Sequence, residues 1–200
     1  VLRLLDLFCG AGGAAMGYNR AGFSVVGVDI HPQPNYPFEF IQDDVFACVA
    51  PWLTARRFDA VHASPPCQHY ANVTAWRGDQ ADHPDLVSLT RELLQATGLP
   101  WVMENVREAP ITGHILLCGT MFGLPFRRHR HFETSYNGWE MTWPCQHRKS
   151  DFSFDHGGKQ PESIYRDAMG CDWMTVAESR NAIPPSYTEL VGQQLMGHIR

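Results

Sequence analysis

The chain contains no apolar run approaching the ~20 residues of a membrane span, and no signal peptide is recognisable. With 18% charged and 44% hydrophobic residues, a soluble, globular, cytoplasmic protein without membrane contacts is expected. It also lacks a cysteine framework: six cysteines are scattered without close spacings, which excludes a disulfide scaffold and implies reduced thiols. No repeats or low-complexity tracts occur, so a solenoid is excluded. A basic excess is missing too, since the net charge is −5 and argues mildly against indiscriminate nucleic-acid binding. A local patch opposes that total: Arg127, Arg128 and Arg130 with His129 and His131. At 200 residues there is room for one α/β domain with a real core.

What is present begins with a strand-length apolar run, Leu2 to Phe8, then Cys9-Gly10-Ala11-Gly12-Gly13. A helix is predicted from Ala14 to about Arg20, and a second strand from Phe23 to Val28 ending at Asp29. Strand, glycine turn, helix, strand and terminal acid form a nucleotide-binding start, with glycines admitting a close ligand. Asp29 is placed to accept from ribose hydroxyls. Gly10-x-Gly12-x-x-Ala15 also fits the dinucleotide fingerprint, so this motif alone does not separate NAD from S-adenosylmethionine. Residues 31 to 40 read as a loop, and Asp43-Asp44-Val45 is a candidate third strand. One of its acids could accept from an adenine amine, or both could simply be solvated.

Phe58 to Ala63 reads as a buried strand leading into Ser64-Pro65-Pro66-Cys67-Gln68. Two prolines stop the strand and make a stiff corner, which holds a thiol still and accessible, as a nucleophile requires. His69 to His83 lacks any period and is expected to be a mobile loop. From Pro84 a helical period sets Leu86, Leu89, Leu93 and Leu94 on one face, with Gly98 as the stop. A strand from Leu99 to Met103 ends in Glu104-Asn105-Val106, placing a carboxylate on the same sheet edge as Cys67. Ile115 to Gly119 is a further short strand, and Phe126, Arg128 and Arg130 alternate as on an edge strand presenting cations. Residues 135 to 170 mix aromatics with bases; Cys145-x-His147 with Cys118 and Cys171 could complete a zinc site. No C-x-x-C pair supports one, and no metal is assigned. Two capping boxes, Thr175-x-x-Glu178 and Ser186-x-x-Glu189, open the last helices, with Pro184-Pro185 between them.

In order, Asp6 to Gly13, Pro65 to Gln68, Glu104 to Val106 and Arg128-x-Arg130 resemble the ordered motifs of the cytosine carbon-5 DNA methyltransferases. Tyr187 to Leu195 looks like a divergent form of that family's closing motif. The resemblance implies a Rossmann-like S-adenosylmethionine-dependent fold of the α/β class, a mostly parallel sheet flanked by helices with a small irregular subdomain. It implies a catalytic unit over residues 1–134, a miniature target-recognition segment over 135–174, and C-terminal helices over 175–200 returning to the catalytic unit. Cys67 would be the nucleophile, Glu104 would hold the exocyclic amine and ring nitrogen, Arg130 would bind the base carbonyl, and Arg128 would support it. Asp6, Phe8, Gly10, Gly12, Gly13, Asp29, Asp44 and Pro65 would hold the S-adenosylmethionine. The implied partner is double-stranded DNA with a flipped cytosine, RNA ranking lower, and the implied form a monomer. The implied setting is restriction–modification in a bacterial or phage-infected cell.

Ser64 stands where the family usually has glycine, Phe126 where it has glutamine, and Gly192-Gln193-Gln194 where it has Gly-Asn-Ser. Only His131 to Ser186 lies between Arg130 and Tyr187, which leaves little room for sequence recognition and resembles compact bacteriophage forms. Competing expectations are a related transfer to RNA or of another one-carbon group, a catalytically retired binding module, and, last, an NAD oxidoreductase.

Overall fold

A computed structural model of the chain describes residues 1–47, 49, 57–67, 69–70, 84–113, 115–137, 143–153 and 163–199. Residues 71–83 of the loop expected over His69 to His83, Gln68, and Trp139 lie outside the described residues. Strands β1 (Arg3–Leu7), β2 (Ser24–Asp29), β3 (Glu39–Gln42), β4 (Ala60–Ala63), β5 (Trp101–Asn105), β6 (Ile115–Leu117) and β8 (Arg130–Thr134) make a seven-stranded sheet in the order β3-β2-β1-β4-β5-β8-β6. The first five in that order run parallel, and β8 is antiparallel to both β5 and β6. A two-stranded parallel sheet joins β7 (Phe126–Arg127) to β9 (Phe152–Ser153). Helices α1 (Gly13–Ala21), α2 (Leu86–Ala96), α3 (Ser163–Met169), α4 (Val176–Asn181) and α5 (Pro185–Ile199) complete the described elements. No helix among the described residues is long and apolar enough to cross a membrane.

The strands read as continuous apolar runs because both sheet faces are covered. In β1, Leu4 faces a cluster with Tyr18, Phe23, Tyr187, Val191 and Leu195, while Leu5 and Leu7 face one with Val26, Val61, Val87, Leu94 and Met103. Chain order reverses between β1 and β4, so the carboxyl ends of these neighbours form the crevice where doubly wound sheets take ligands. Pairing of Leu7 with Val28 and Ala63, and of Ala63 with Met103, brings residues 9–13, Asp29, 64–67 and Glu104 to that one edge.

Several expectations are corrected. The third strand is Glu39–Gln42, inside the stretch read as loop, whereas Val45 starts a short helical turn after Asp43 and Asp44. In α2 the buried face is Val87, Thr90 and Leu94, and Leu89 is exposed. Asp85 fixes this rotation by capping the helix, its Oδ1 accepting from the Val87 and Ser88 amides. No single edge strand carries Phe126, Arg128 and Arg130: Arg128 and His129 are irregular, and β8 lies inside the sheet between β5 and β6. Thr175 does cap α4 through a reciprocal box with Glu178. Ser186 caps nothing, because α5 starts one residue earlier at Pro185, whose missing N–H is no loss in a first turn.

Helix α5 lies directly on α1, and two glycines permit the approach. A methyl group on Gly17 would sit 2.1 Å from the Pro185 oxygen, and one on Gly192 2.8 Å from the Ala21 Cβ. Gly98 differs, its requirement being a φ of +67° with open space around it. Gly17→Ala should therefore cost about 2–3 kcal/mol through forced separation of the helices, and Gly98→Ala about 1 kcal/mol through backbone strain alone. Urea unfolding of the two variants checks the ranking.

Candidate active site

The Pro65-Pro66-Cys67 corner leaves β4 with the Ser64 amide still donating to the Leu7 carbonyl at 3.1 Å, so its first residue remains tied to the sheet. Asn105, at the end of β5, donates from Nδ2 to the buried Pro65 carbonyl at 2.8 Å, and its Oδ1 accepts from the Val106 amide at 2.9 Å. This amide staples the strand bearing Glu104 to the corner bearing Cys67. Sequence reading assigned Asn105 no role, and only its place after Glu104 was a signal. Cys67 is partly buried. Burial raises its thiol pKa, Arg130 pulls it back, Glu104 raises it and Arg128 lowers it, so all three charged groups lie within electrostatic reach of the sulfur.

Glu104 and Arg130 come from adjacent antiparallel strands and meet as a nearly buried ion pair, with Arg130 Nε 3.0 Å from Glu104 Oε1. The contact is close but not in line, and Oε1 makes no hydrogen bond. Arg130 also donates from Nη1 to the His129 carbonyl at 2.8 Å. Burial pushes the Glu104 carboxyl up, while Arg130, Arg128 and a hydrogen bond from Ser64 draw it partly back. Arg128 is buried and turned elsewhere: its Nη2 donates to the Asn181 carbonyl at 3.2 Å, and its own carbonyl accepts from Tyr187 Oη at 2.6 Å.

Behind Glu104 runs a buried polar chain. The Tyr18 hydroxyl lies 2.9 Å from His62 Nδ1, and His62 Nε2 lies 2.8 Å from Ser64 Oγ. Ser64 donates to the Glu104 carboxylate, so its oxygen accepts from His62 Nε2–H, which leaves Nδ1 to accept from Tyr18. Burial lowers the His62 pKa to about 3, so the imidazole is neutral. Serine in place of the usual glycine thus connects Glu104 to the core. Neither Tyr18 nor His62 was legible as part of the site, since each sits in an apolar run and reads as core.

On the β1–β2 side, the Gly10 amide donates to Asp29 Oδ2 at 3.0 Å and the His31 amide to Oδ1 at 2.9 Å. Asp29 is thereby aimed while each oxygen keeps a further lone pair. Asp44 Oδ1 accepts from the Phe46 amide at 2.9 Å. Phe8, at φ +57°, meets the exposed Phe46 ring edge-on at 6.0 Å, and Ile30 is exposed beside Asp29. Apolar surface therefore accompanies the acids, as an aromatic base with a polar rim requires. Asp6 is fully buried and neither carboxylate oxygen has a hydrogen-bond partner among the described residues. Burial first, and Asp29 second, hold its pKa well above the usual range.

The glycine turn needs glycine for reasons other than a ligand's bulk. Gly10 requires its φ of +49°, and a methyl group on Gly12 would meet Pro37 at 2.8 Å. One on Gly13 would meet the Ile183 carbonyl at 2.5 Å. Trp173 also closes on this turn, donating from Nε1 to the Ala11 carbonyl at 2.9 Å. Phe126, which stands where the resemblance expects glutamine, is fully buried with Ala11, Met169, Cys171 and Met174. Of the four zinc candidates, Cys118, Cys145 and His147 converge together with His129, whereas Cys171 belongs to that apolar cluster.

Residues 2–110 match the model of the C-5 cytosine-specific DNA methylase family. The chain is 29% identical over 180 residues to the type II methyltransferase M1.HphI of Haemophilus parahaemolyticus, covering 72% of this chain and 48% of that protein. It is 31% identical over 94 residues to the type II methyltransferase M.AgeI of Thalassovita gelatinovora, covering 40% of this chain and 22% of that one. The chain thus spans less than half the length of these relatives. In fold it is similar to the Entamoeba histolytica methyltransferase EhMeth (TM-score 0.69, 12% identity, 100% of this chain and 99% of that one). It is also similar to S. pombe Dnmt2 methyltransferase (TM-score 0.68, 14% identity, 100% of each chain).

With its pKa raised, Cys67 should alkylate slowly with iodoacetamide at neutral pH and faster as pH climbs past the ordinary thiol range. Arg130→Ala should slow the reaction at a given pH and Glu104→Gln should speed it, because each removes a charge of known sign near the sulfur. Peptide mapping of labelled Cys67 against pH reads both shifts.

Proposed function

Because the chain belongs to the C-5 cytosine-specific DNA methylase family, we propose that it methylates carbon 5 of a cytosine held outside the base stack, through a covalent bond from Cys67 to carbon 6. The observation that carries this reading is the meeting of Glu104 with Arg130 on neighbouring strands, within electrostatic reach of Cys67. Carbon 5 of cytosine is a weak nucleophile. The Cys67 thiol gives its proton to solvent, and addition of the resulting thiolate to carbon 6 moves an electron pair into the ring, so that carbon 5 becomes enamine-like. The charge that develops falls on ring nitrogen 3, and Glu104, whose carboxyl burial pushes up, supplies a proton there and accepts from the exocyclic amine. Arg130 donates to the base carbonyl. After transfer, the carbon-5 proton leaves to solvent base, the sulfur departs as thiolate, and the nitrogen-3 proton returns to Glu104. Arg128, bound to Asn181 and Tyr187, positions the segment that carries Arg130.

S-adenosylmethionine, when bound, supplies the sulfonium-activated methyl group. The residues fit it: Asp29 is aimed with spare lone pairs for ribose hydroxyls, and Asp44 lies beside the exposed Phe46 for an adenine. Asp6 is a buried acid whose oxygens have no hydrogen-bond partner among the described residues, His62 Nε2 lying 4.0 Å away, and it is suited to a cationic amine. Pro65 opens the adjoining corner, Phe8 meets Phe46 edge-on, and Gly10, Gly12 and Gly13 shape the turn. Substrate is double-stranded DNA, whose stacked bases hide carbons 5 and 6 unless the nucleotide is extruded.

DNA carrying 5-fluorocytosine, with S-adenosylmethionine present, should trap a covalent complex, because fluorine cannot leave as the proton does. Cys67→Ser should abolish the trap, and Glu104→Gln should slow it about 10²–10³-fold. Binding of the methyl donor without an adduct on duplex DNA contradicts the proposal, and an adduct on RNA alone reassigns the substrate.

A further inference from the structure

Four side chains from three separate segments point their ligand atoms at one spot. Cys118 follows β6 and opens a 3-10 turn, His129 lies between Arg128 and Arg130, and Cys145 and His147 come from an irregular stretch. All four ligand atoms lie within 4.8 Å of one another. Cys118 Sγ is 3.4 Å from His147 Nε2, and Cys145 Sγ is 3.7 Å from His129 Nε2. A tetrahedral zinc ion, with bonds of about 2.3 Å to sulfur and about 2.0–2.1 Å to nitrogen, sets its S···N edges at about 3.5–3.6 Å. We propose that Cys118, His129, Cys145 and His147 bind one structural zinc ion.

Two thiolates and two imidazoles are the donor set that selects tetrahedral zinc over harder cations. The polar surroundings suit the site, since Thr120 Oγ1 donates to Cys118 Sγ at 3.5 Å and orients that ligand. The stretch from 143 to 149 gives the metal a purpose. It has no regular secondary structure, Trp143 is half exposed, and Cys145 is among its few residues packed on the core. A segment that buries so little apolar surface needs another tie to hold one conformation. Zinc would supply that tie, and through His129 it would also stiffen the backbone carbonyl that receives Arg130 Nη1. With three protein segments and four ligands, no open position remains for a water nucleophile, so the role is structural. The site stands whether or not Cys67 attacks a pyrimidine.

Protein purified without chelator from zinc-supplemented culture should carry about one zinc per chain by elemental analysis. Cys145→Ser and His147→Ala should lower that content about tenfold or more, and Cys171→Ser should retain it. Cobalt(II) added to the metal-stripped wild-type protein should give the intense visible bands of a tetrahedral ion and a thiolate charge-transfer band. Wild-type protein does not depend on any variant's folding, so this spectrum decides the matter. A weak octahedral spectrum, a Cys118–Cys145 disulfide in freshly purified reduced-cell material, or full zinc retention in Cys145→Ser would overturn the site. Loss of the covalent DNA adduct with zinc still bound would overturn the methylation reading and leave the metal site standing.

Discussion

The ion pair between Glu104 and Arg130 is the constraint on which the rest of the site depends. Each group is costly to bury alone, and removal of one partner from such a pair strands the other at about 3–5 kcal/mol. The pair therefore fixes how β8 lies against β5, and with it the approach of the arginine segment to the thiol corner. Three further contacts hold the same arrangement from different sides. Asn105 binds the Pro65 carbonyl, Ser64 reaches Glu104 from the core through His62 and Tyr18, and Tyr187 holds the Arg128 carbonyl. A helix near the chain's end thus braces a site whose proposed acid and nucleophile, Glu104 and Cys67, lie far upstream.

Proton placement follows from the same geometry. Glu104 is pushed up by burial and drawn partly back by two arginines and a serine. Cys67 is raised by burial and by Glu104, and lowered by Arg130 and Arg128. In the proposed reaction Glu104 gives up its proton only as the sulfur's negative charge passes into the ring, so the two anions do not oppose each other.

Elements whose residues act locally were legible in the sequence. The glycine turn, the Pro-Pro corner, the acid at the end of β2 and the Thr175 box each follow from a short pattern, although Gly12 and Gly13 are required by packing on Pro37 and Ile183 that no local pattern shows. The parts that failed depend on tertiary position. Glu39–Gln42 is a strand only because β2 offers it a partner, and the Arg128–Arg130 alternation looked like an edge strand although the chain leaves one sheet and enters another there. Phe126 was visible only as a departure from the usual glutamine and is a core residue of the small cluster beneath the glycine turn. Tyr18 and His62 sit at apolar positions of a helix and a strand, where nothing local marks them as a relay. The cysteine and histidine cluster was half visible: Cys145-x-His147 and Cys118 could be singled out, but His129 was absorbed into the basic patch. Cys171 was included on residue type alone.

The central claim is that Glu104 and Arg130 act as one unit on the Cys67 addition, and a double-mutant cycle tests it most directly. Rates of covalent complex formation on fluorinated DNA would be compared for wild type, Glu104→Gln, Arg130→Met and the double variant. The account predicts strong coupling of about 2 kcal/mol or more, the double variant being scarcely slower than the worse single one. Losses that add to within about 0.5 kcal/mol would contradict it.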